Sequence, residues 1–369
     1  MIQRLLAAAV VALASISAQG AVVDELVYTD MQPYPLLGTL APNASIAYSR
    51  LPDSIQGTVR DELWNLGINS AGLAVRFRSD SPRLAAKWKS RNGFNMNHMT
   101  PTGIRGLDLY VLQDDSTWTT MSSARPAYRG KNNTCLLSTD MKPGVMREYL
   151  LYLSLYDGVD SLYIGVDSTS AVLPPAIDLP RRGKPVVMYG TSILQGGCAT
   201  RPGMAHTNIL ERELQREVVN LGLSGNARLD PEMARLMASA DASVFVVDAL
   251  PNCKVEQIDS LMIPFVEILR KAHPTTPVVM VESPIFPIAR FSMEVEATLA
   301  AKNDALRRAY DALVAGGDRN LYYFESTDIL GGDPEATVDN YHFTDTGFAN
   351  FARAMKPLLQ SLISQQITQ

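Results

Sequence analysis

One serine, one aspartate and one histidine in this chain have the residue types and settings that nucleophilic catalysis needs. Ser192 lies in "VMYGTSILQGG", on a glycine-flanked turn that follows an apolar run. Asp339 precedes His342 by three residues in "VDNYHFTDTGF", and the chain has only four histidines. A histidine oriented by a carboxylate can act as the base toward a serine hydroxyl. We therefore predict that Ser192, His342 and Asp339 meet in space, although a surface His–Asp pair and an N-cap serine are the simpler interpretations of each segment alone.

Two further positions have the chemistry to stabilise negative charge on a substrate oxygen. Gly225 in "NLGLSGN" would present a bare backbone N–H, and Asn252 in "ALPNCK" would present a side-chain amide. The backbone N–H of Ser192 would be a third donor, because the first N–H groups of a helix are unpaired. Taken singly, the glycine and the asparagine are typical turn residues. Taken together, they predict an oxyanion hole formed by Ser192, Gly225 and Asn252.

The elements that must position these residues alternate between buried strands and helices. The strand candidates are PVVMYG, EVVNLGL, ASVFVVDAL, PVVMVESP and NLYYFES, with helical stretches between them and after the last. This alternation predicts an α/β domain over residues 186–369, with a parallel sheet covered by helices on both faces. In such sheets the site lies beyond the carboxyl ends of the strands. Each candidate residue follows a predicted strand.

The N-terminal half has a different sequence pattern. Short alternating runs such as GLAVRFRSD, RLAAKWKS, GLDLYVLQ, REYLLYLSLY and SLYIGVD are separated by turn residues, NNT and DDST among them. Convincing amphipathic helices are absent, so the pattern predicts an all-β sandwich of jelly-roll type over residues 22–175. Four prolines and a basic cluster in "VLPPAIDLPRRGKP" predict a linker at residues 176–185.

Composition narrows the function classes. The chain has 369 residues, 46% hydrophobic and 19% charged, with a net charge of −5. This composition favours a folded protein and argues against a nucleic-acid partner. The first 20 residues combine one arginine, an apolar run and small residues, which is typical of a secretory signal peptide. We expect an exported bacterial protein, periplasmic or secreted, with no integral membrane segment in the mature chain.

Three cysteines leave two interpretations open. Cys198 and Cys253 each lie close in sequence to a candidate site residue, and an exported protein could join them in a disulfide. Buried unpaired thiols are the alternative, and Cys135 remains unpaired among the three in either case. The spacing of cysteines and histidines along the chain does not suggest a zinc site.

The four segments together resemble the SGNH, or GDSL-like, hydrolases. That family has a serine in a G-D-S-[LI] block, then a glycine, an asparagine and a D-x-x-H block. These correspond here to "GTSI" with Ser192, to Gly225, to Asn252, and to Asp339 with His342. The resemblance covers about residues 183–366 and implies a flavodoxin-like, three-layer α/β/α fold. The chain departs from the pattern by having Thr191 and Cys253 where aspartates are usual.

The N-terminal half carries a second resemblance. "GIRGLDLY" and "YLSLYDGVDSLYIGV" are similar to the GxDLY-type β-sandwich that precedes the catalytic domain in a bacterial subgroup of this superfamily. Members of that subgroup are described as esterases or acylhydrolases, some acting on acetylated carbohydrates. The resemblance thus implies a serine esterase that removes short acyl groups, acetyl foremost, from an esterified carbohydrate or another small acyl ester, without a metal or organic cofactor.

Substrate contacts and competing functions follow from the same reasoning. Gln195 and Arg201, on the segment after the nucleophile, and His98, from the other domain, are candidate substrate-binding residues, with surface or structural roles as the alternative. His206 is open to the same two interpretations. The competing functions are a lipid or thioester acylhydrolase and a catalytically inactive glycan-binding protein. A nucleotide-binding module is disfavoured because the glycines after the first strand of the α/β domain do not form G-x-G-x-x-G.

Overall fold

The computed structural model describes residues 22–180, 183–325, 329–330 and 332–367. The predicted signal peptide at residues 1–20 and residues 181–182 of the predicted linker lie outside the described residues. Within the part of the chain that is described, no helix combines the length and the apolar character needed to cross a membrane.

The N-terminal half is built from nine strands and two short helices. In chain order these are β1 (Val27–Asp30), β2 (Leu36–Leu37), α1 (Asp61–Gly67), β3 (Ala74–Ser79), β4 (Leu84–Ser90), α2 (Pro101–Arg105), β5 (Leu107–Leu112), β6 (Trp118–Ala124), β7 (Asn132–Ser138), β8 (Arg147–Tyr152) and β9 (Val159–Val166). They form a four-stranded sheet in the order β1-β9-β4-β7 and a five-stranded sheet in the order β2-β3-β8-β5-β6. All pairs are antiparallel.

The two sheets pack face to face because each presents apolar side chains at alternate positions. Val75 and Phe77 of β3 share one buried core with Ala86 and Trp88 of β4 and Ile164 of β9. The predicted sandwich and its five predicted strands are therefore confirmed. Two details differ from prediction, since the segment NNT begins β7 instead of forming a turn, and two helices occur where none was expected. Both helices have seven residues or fewer, too few to show a helical period in the sequence.

Helix α1 belongs to the sandwich half in sequence but packs on the other half of the molecule. Leu51, Ile55, Leu63 and Trp64 are part of the hydrophobic core that covers one face of the C-terminal sheet. The sandwich half therefore makes a broad, apolar contact with the C-terminal half.

The C-terminal half alternates strands and helices as predicted. Its elements are β10 (Val186–Gly190), α3 (Ser192–Gln195), α4 (His206–Leu214), β11 (Val218–Gly222), α5 (Pro231–Ala238), β12 (Val244–Asp248), α6 (Val255–Ala272), β13 (Val278–Val281), α7 (Met293–Ala315), β14 (Leu321–Phe324) and α8 (Asp345–Ile367). The strands form one parallel sheet in the order β11-β10-β12-β13-β14. This is the flavodoxin-like strand order.

Helices cover both faces of this sheet and make it the middle of three layers. One core holds side chains of α5, α6 and α7, and a second core holds side chains of α4 and α8. Because the strands are buried on both faces, each is a continuous apolar run, which made them recognisable in the sequence. The predicted three-layer α/β/α fold is confirmed. All five parallel strands end at one edge of the sheet, so the loops that follow β10, β11 and β12 are brought together there.

Candidate active site

Ser192 is positioned by a tight turn at the end of the first parallel strand. Thr191 is the N-cap of α3, and its hydroxyl oxygen accepts a hydrogen bond of 3.3 Å from the backbone N–H of Ile193. A side chain at Gly190 would place its Cβ 2.7 Å from the carbonyl oxygen of Asp248 on the neighbouring strand. Glycine is therefore required for the turn that places Ser192 at the edge of the sheet.

The structure brings Ser192, His342 and Asp339 into one hydrogen-bonded chain. The distance from His342 Nε2 to Ser192 Oγ is 2.8 Å, and the distance from His342 Nδ1 to Asp339 Oδ2 is 2.7 Å. The second oxygen of Asp339 accepts the backbone N–H of His342 at 2.8 Å. This last bond fixes the carboxylate within its own loop, which is what the D-x-x-H spacing allows. Their meeting agrees with the prediction; their catalytic roles stay a proposal.

The electrostatics of the site favour a charged aspartate beside the histidine. Partial burial would raise the pKa of Asp339, but the hydrogen bonds from His342 outweigh it and leave the pKa below its ordinary value. The serine is 8% exposed, whereas the side chains of His342 and Asp339 are 24% and 34% exposed. Substrate would therefore approach from the side of the histidine loop.

The two predicted oxyanion donors lie on adjacent loops that are tied together. The Asn252 side-chain oxygen accepts a hydrogen bond of 3.3 Å from the backbone N–H of Ala227, which leaves the amide nitrogen as the outward donor. Gly225 has a φ of +68°, a conformation that favours glycine. Neither the Gly225 N–H nor the Asn252 amide nitrogen has an acceptor within the described residues. Both donors are thus available to a ligand.

The two departures from the family pattern have structural consequences. Thr191 keeps the N-cap hydrogen bond of the turn, so a threonine supports the same local geometry without a charge. Cys253 is 2% exposed, and its thiol donates to the carbonyl oxygen of Ala227 at 3.5 Å.

All three cysteines are free thiols, so Cys198 and Cys253 do not form the disulfide considered above. Burial raises the pKa of both thiols to about 12.

Gln195 does not have the position of a substrate contact. Its side chain is fully buried, donates to the carbonyl oxygen of Leu155 at 3.1 Å and accepts the backbone N–H of Ser224 at 3.0 Å. Gln195 therefore links the sandwich to the loop that holds Gly225. The prediction for Gln195 was wrong because sequence gives no measure of burial on a four-residue helix.

Arg201 also has an internal partner. Its guanidinium lies 2.5 Å from the Asp108 carboxylate and 2.7 Å from the Tyr110 hydroxyl, both on β5 of the sandwich. Because the Asp108 side chain is fully buried, this ion pair fastens the loop after Ser192 to the other domain. Its charge is therefore paired between the domains, and the predicted contact with substrate stays a prediction.

The remaining two histidine predictions had different outcomes. His98 lies beside the site, with its ring centroid 5.6 Å from that of His342, so the sandwich does place a polar side chain next to the triad. His206 is fully buried between the rings of Phe348 and Phe351, and burial lowers its pKa to about 3. It can meet no substrate.

Tyr156 is the site residue that the sequence reasoning missed. This buried side chain of the sandwich donates its hydroxyl to the backbone oxygen of Ser192 at 3.2 Å. A Cβ at Gly197 would lie 2.6 Å from the Tyr156 hydroxyl and 3.1 Å from His342 Cδ2, so glycine there is needed for both to approach. Tyr156 stands in the GxDLY-like segment "YLSLYDGVDSLYIGV", which was the available signal.

A buried arginine completes the contact between the domains. Arg50 is 1% exposed, and its guanidinium donates to the carbonyl oxygens of Asn220 and Gly222 at the end of β11, at 3.1 and 2.8 Å. The same side chain donates to Leu66 and Asn69 in the sandwich half. Arg50 thus holds the carboxyl edge of the sheet to the segment around α1.

Comparisons with known proteins agree with this architecture. Residues 183–360 match the GDSL-like lipase/acylhydrolase family, and residues 26–172 match the GxDLY domain, described as the N-terminus of SGNH hydrolase-type esterases. Among curated proteins, none matches the sequence. A crystal structure from Bacteroides ovatus described as a GDSL-like lipase is 32% identical, with a TM-score of 0.87, covering 92% of this chain and 98% of that one.

Two more distant structures share the fold. A salicylyl-acyltransferase from a tetracycline biosynthetic pathway is 17% identical, with a TM-score of 0.73 over 90% of this chain and 98% of that one. A family two carbohydrate esterase from Clostridium thermocellum, in complex with cellohexaose, is 12% identical, with a TM-score of 0.57 over 80% of this chain and 93% of that one. The fold and the arrangement of the site are those of an SGNH-type hydrolase with an N-terminal β-sandwich. The chain belongs to the GDSL-like lipase/acylhydrolase family and is an ester-hydrolysing enzyme.

Proposed function

We propose that this enzyme is a serine esterase that removes short acyl groups, acetyl foremost, from carbohydrate esters through Ser192, His342 and Asp339. The observation that carries the proposal is the continuous hydrogen-bonded chain from Ser192 Oγ through both ring nitrogens of His342 to the Asp339 carboxylate. Because the carboxylate binds Nδ1, the Nε2 atom is left unprotonated and can take the serine proton.

The reaction would proceed through an acyl-serine. His342 Nε2 removes the proton of Ser192 as Oγ bonds to the ester carbonyl carbon, and the carbonyl electron pair moves onto the oxygen. When that pair returns, the bond to the alcohol breaks and the imidazolium gives its proton to the departing sugar oxygen. Water then attacks the acyl-serine with His342 again as base, releasing the carboxylic acid and Ser192. Asp339 stabilises the imidazolium in both halves of the cycle.

The oxyanion would be bound by the backbone N–H groups of Ser192 and Gly225 and by the Asn252 amide. Support comes from the unused donors of Gly225 and Asn252 and from the hydrogen bond that orients the Asn252 side chain. The N–H of Ser192 is at the amino end of α3, where no helical acceptor exists. Donors fixed in this way need no reorganisation when charge develops.

The substrate class is supported by the surroundings of the histidine. Tyr341 precedes His342 in the same loop, packs its ring against Phe286 and is 46% exposed; an exposed aromatic ring with a polar tip offers a face and a hydrogen bond to a sugar. His98 adds a polar group beside His342. Ser192 is 8% exposed and is backed by Tyr156 and Gly197, which favours a small acyl group over a long chain. The carbohydrate esterase of the same fold is consistent with this choice.

Export is part of the proposal. The apolar segment at residues 1–20 supports secretion or a periplasmic location, where polymeric acetylated carbohydrate would be met. Mass spectrometry of the N-terminus of the protein recovered from its native host tests this point. An N-terminus near residue 21 is expected, and an intact residue 1 in the mature protein would contradict export.

A series of p-nitrophenyl esters from acetyl to dodecanoyl, followed by acetylated oligosaccharides, tests the activity. We expect the highest kcat/KM on acetyl, release of acetate from the sugar ester, and loss of turnover in Ser192→Ala. Activity that rises with acyl length would instead favour the lipid acylhydrolase. Binding of oligosaccharide without turnover of any ester would favour the inactive glycan-binding protein.

A further inference from the structure

Three side chains with metal-binding atoms converge next to the proposed triad. One donor atom each from His98, Cys198 and His342 lie within 4.8 Å of one another. His98 comes from the sandwich, Cys198 from the loop after α3, and His342 from the loop before α8. The cluster is invisible in the sequence because its members are about 100 and 144 residues apart.

Cys198 combines an unusual backbone conformation with a buried thiol. Its φ is +75°, a left-handed conformation that non-glycine residues rarely adopt. The side chain is 5% exposed, and its thiol has no hydrogen-bond partner within the described parts of the chain. A strained backbone held at a functional site is a reason to ask what the side chain does there.

The donor set specifies the kind of ion. Two imidazoles and one cysteine sulfur match the ligands of zinc, and the Cys198 thiol would release its proton on binding the metal. Mg²⁺ and Ca²⁺ prefer oxygen atoms instead. Zinc binds nitrogen at about 2.0–2.1 Å and sulfur at about 2.3 Å, so donors on one ion stand roughly 3.5 Å apart. Closing the cluster to this spacing requires a movement of about 1 Å or less by each of the three side chains. His98 is half-buried on a loop and can make the largest share of it.

We propose that His98, Cys198 and His342 together bind a borderline-soft divalent cation of the zinc type, and that the bound ion inhibits the enzyme. His342 is hydrogen-bonded to Ser192 through Nε2 and to Asp339 through Nδ1. A metal on either nitrogen replaces one of these bonds and removes the base. Zinc on Nε2 would keep the Asp339 contact, the carboxylate–histidine arrangement that commonly supports zinc ligands.

Such a site would also join the two domains. One ligand lies in the sandwich and two lie in the α/β domain, so the ion would be bound only by the assembled protein. Binding to the folded state alone raises the unfolding temperature with ligand concentration. Zinc binding is therefore measurable without any substrate, and its failure is distinguishable from failure of the proposed esterase function.

The first arm of the test is isothermal titration of the full-length chain with ZnCl₂ in a non-chelating buffer, with MgCl₂ in parallel. We expect one zinc ion per chain and no binding of magnesium. Cys198→Ser, which changes one atom, and His98→Asn, on a partly exposed loop, should each weaken zinc binding at least about tenfold. Cys135→Ser and His273→Asn are matched controls outside the cluster and should bind zinc as the wild type does.

The second arm measures inhibition of p-nitrophenyl acetate hydrolysis, with each variant normalised to its own zinc-free rate. We expect zinc to inhibit the wild type and both controls at the same concentration, and to inhibit Cys198→Ser and His98→Asn only at concentrations at least about tenfold higher. Equal zinc binding or equal inhibition across all five proteins would overturn the proposal, as would a titration with no stoichiometric binding.

Discussion

The two domains contribute to the site in different ways, and the difference explains what each is for. The α/β domain supplies the proposed reacting groups from loops at one edge of a parallel sheet, where Ser192 Oγ and His342 Nε2 lie 2.8 Å apart. The sandwich supplies side chains that support or border those loops. Tyr156 is hydrogen-bonded to the Ser192 carbonyl oxygen, Asp108 is paired with Arg201, and His98 lies beside His342. The proposed reacting groups thus come from the α/β domain alone, whereas the geometry of the site depends on both domains.

The largest effect on the contact between the domains is expected from Arg201→Met. The substitution leaves the fully buried Asp108 carboxylate without its cation, which costs roughly 3–5 kcal/mol of stability for a buried pair. Denaturant unfolding should show a lower midpoint, and the second substitution Asp108→Asn should recover part of the loss. An unchanged midpoint with a raised KM would mean that Arg201 binds substrate after all.

Asn252→Ala tests the α/β side of the comparison. Removing one oxyanion donor typically lowers kcat by about 10²–10³-fold with little change in substrate binding. Steady-state kinetics on acetyl esters would measure the effect, with Asn132→Ala, an exposed asparagine of the sandwich, as a control. A change confined to KM would contradict a role in stabilising the transition state.

Tyr156→Phe should have the smallest effect of the three. The substitution removes one hydrogen bond to the Ser192 carbonyl oxygen, which still accepts the backbone N–H groups of Gly196 and Gly197 at 3.1 and 2.8 Å. A loss of about 1 kcal/mol, or less than tenfold in kcat/KM, is expected. A loss of kcat/KM approaching that of Ser192→Ala would mean that Tyr156 takes part in the reaction and does not only support Ser192.

The same contrast accounts for what sequence could and could not predict. The parallel strands were recognisable because they are continuous apolar runs, and Ser192, Asp339 and His342 because each stands at a fixed offset in a short loop. Contacts between domains have no such local pattern. Arg201 and Gln195 looked like surface residues near a nucleophile, yet their partners in the sandwich lie 40 to 93 residues away.

Short elements and burial were the other limits. Helix α1 was missed because seven residues span only two turns, and the strand β7 because its first residues are asparagines typical of turns. The burial of His206 between two phenylalanines depends on α8 folding back over α4, which no window of sequence contains. Local chemistry was therefore predictable, whereas long-range packing required the structure.

The most direct test of the account is covalent labelling with a fluorophosphonate, which reacts with a serine only when a base activates it. The wild-type enzyme should gain one adduct, located by peptide mass spectrometry at Ser192. The His342→Ala variant should label at least about 10³-fold more slowly, since the serine loses its base. Labelling at another residue, or equally fast labelling without His342, would contradict the proposed triad.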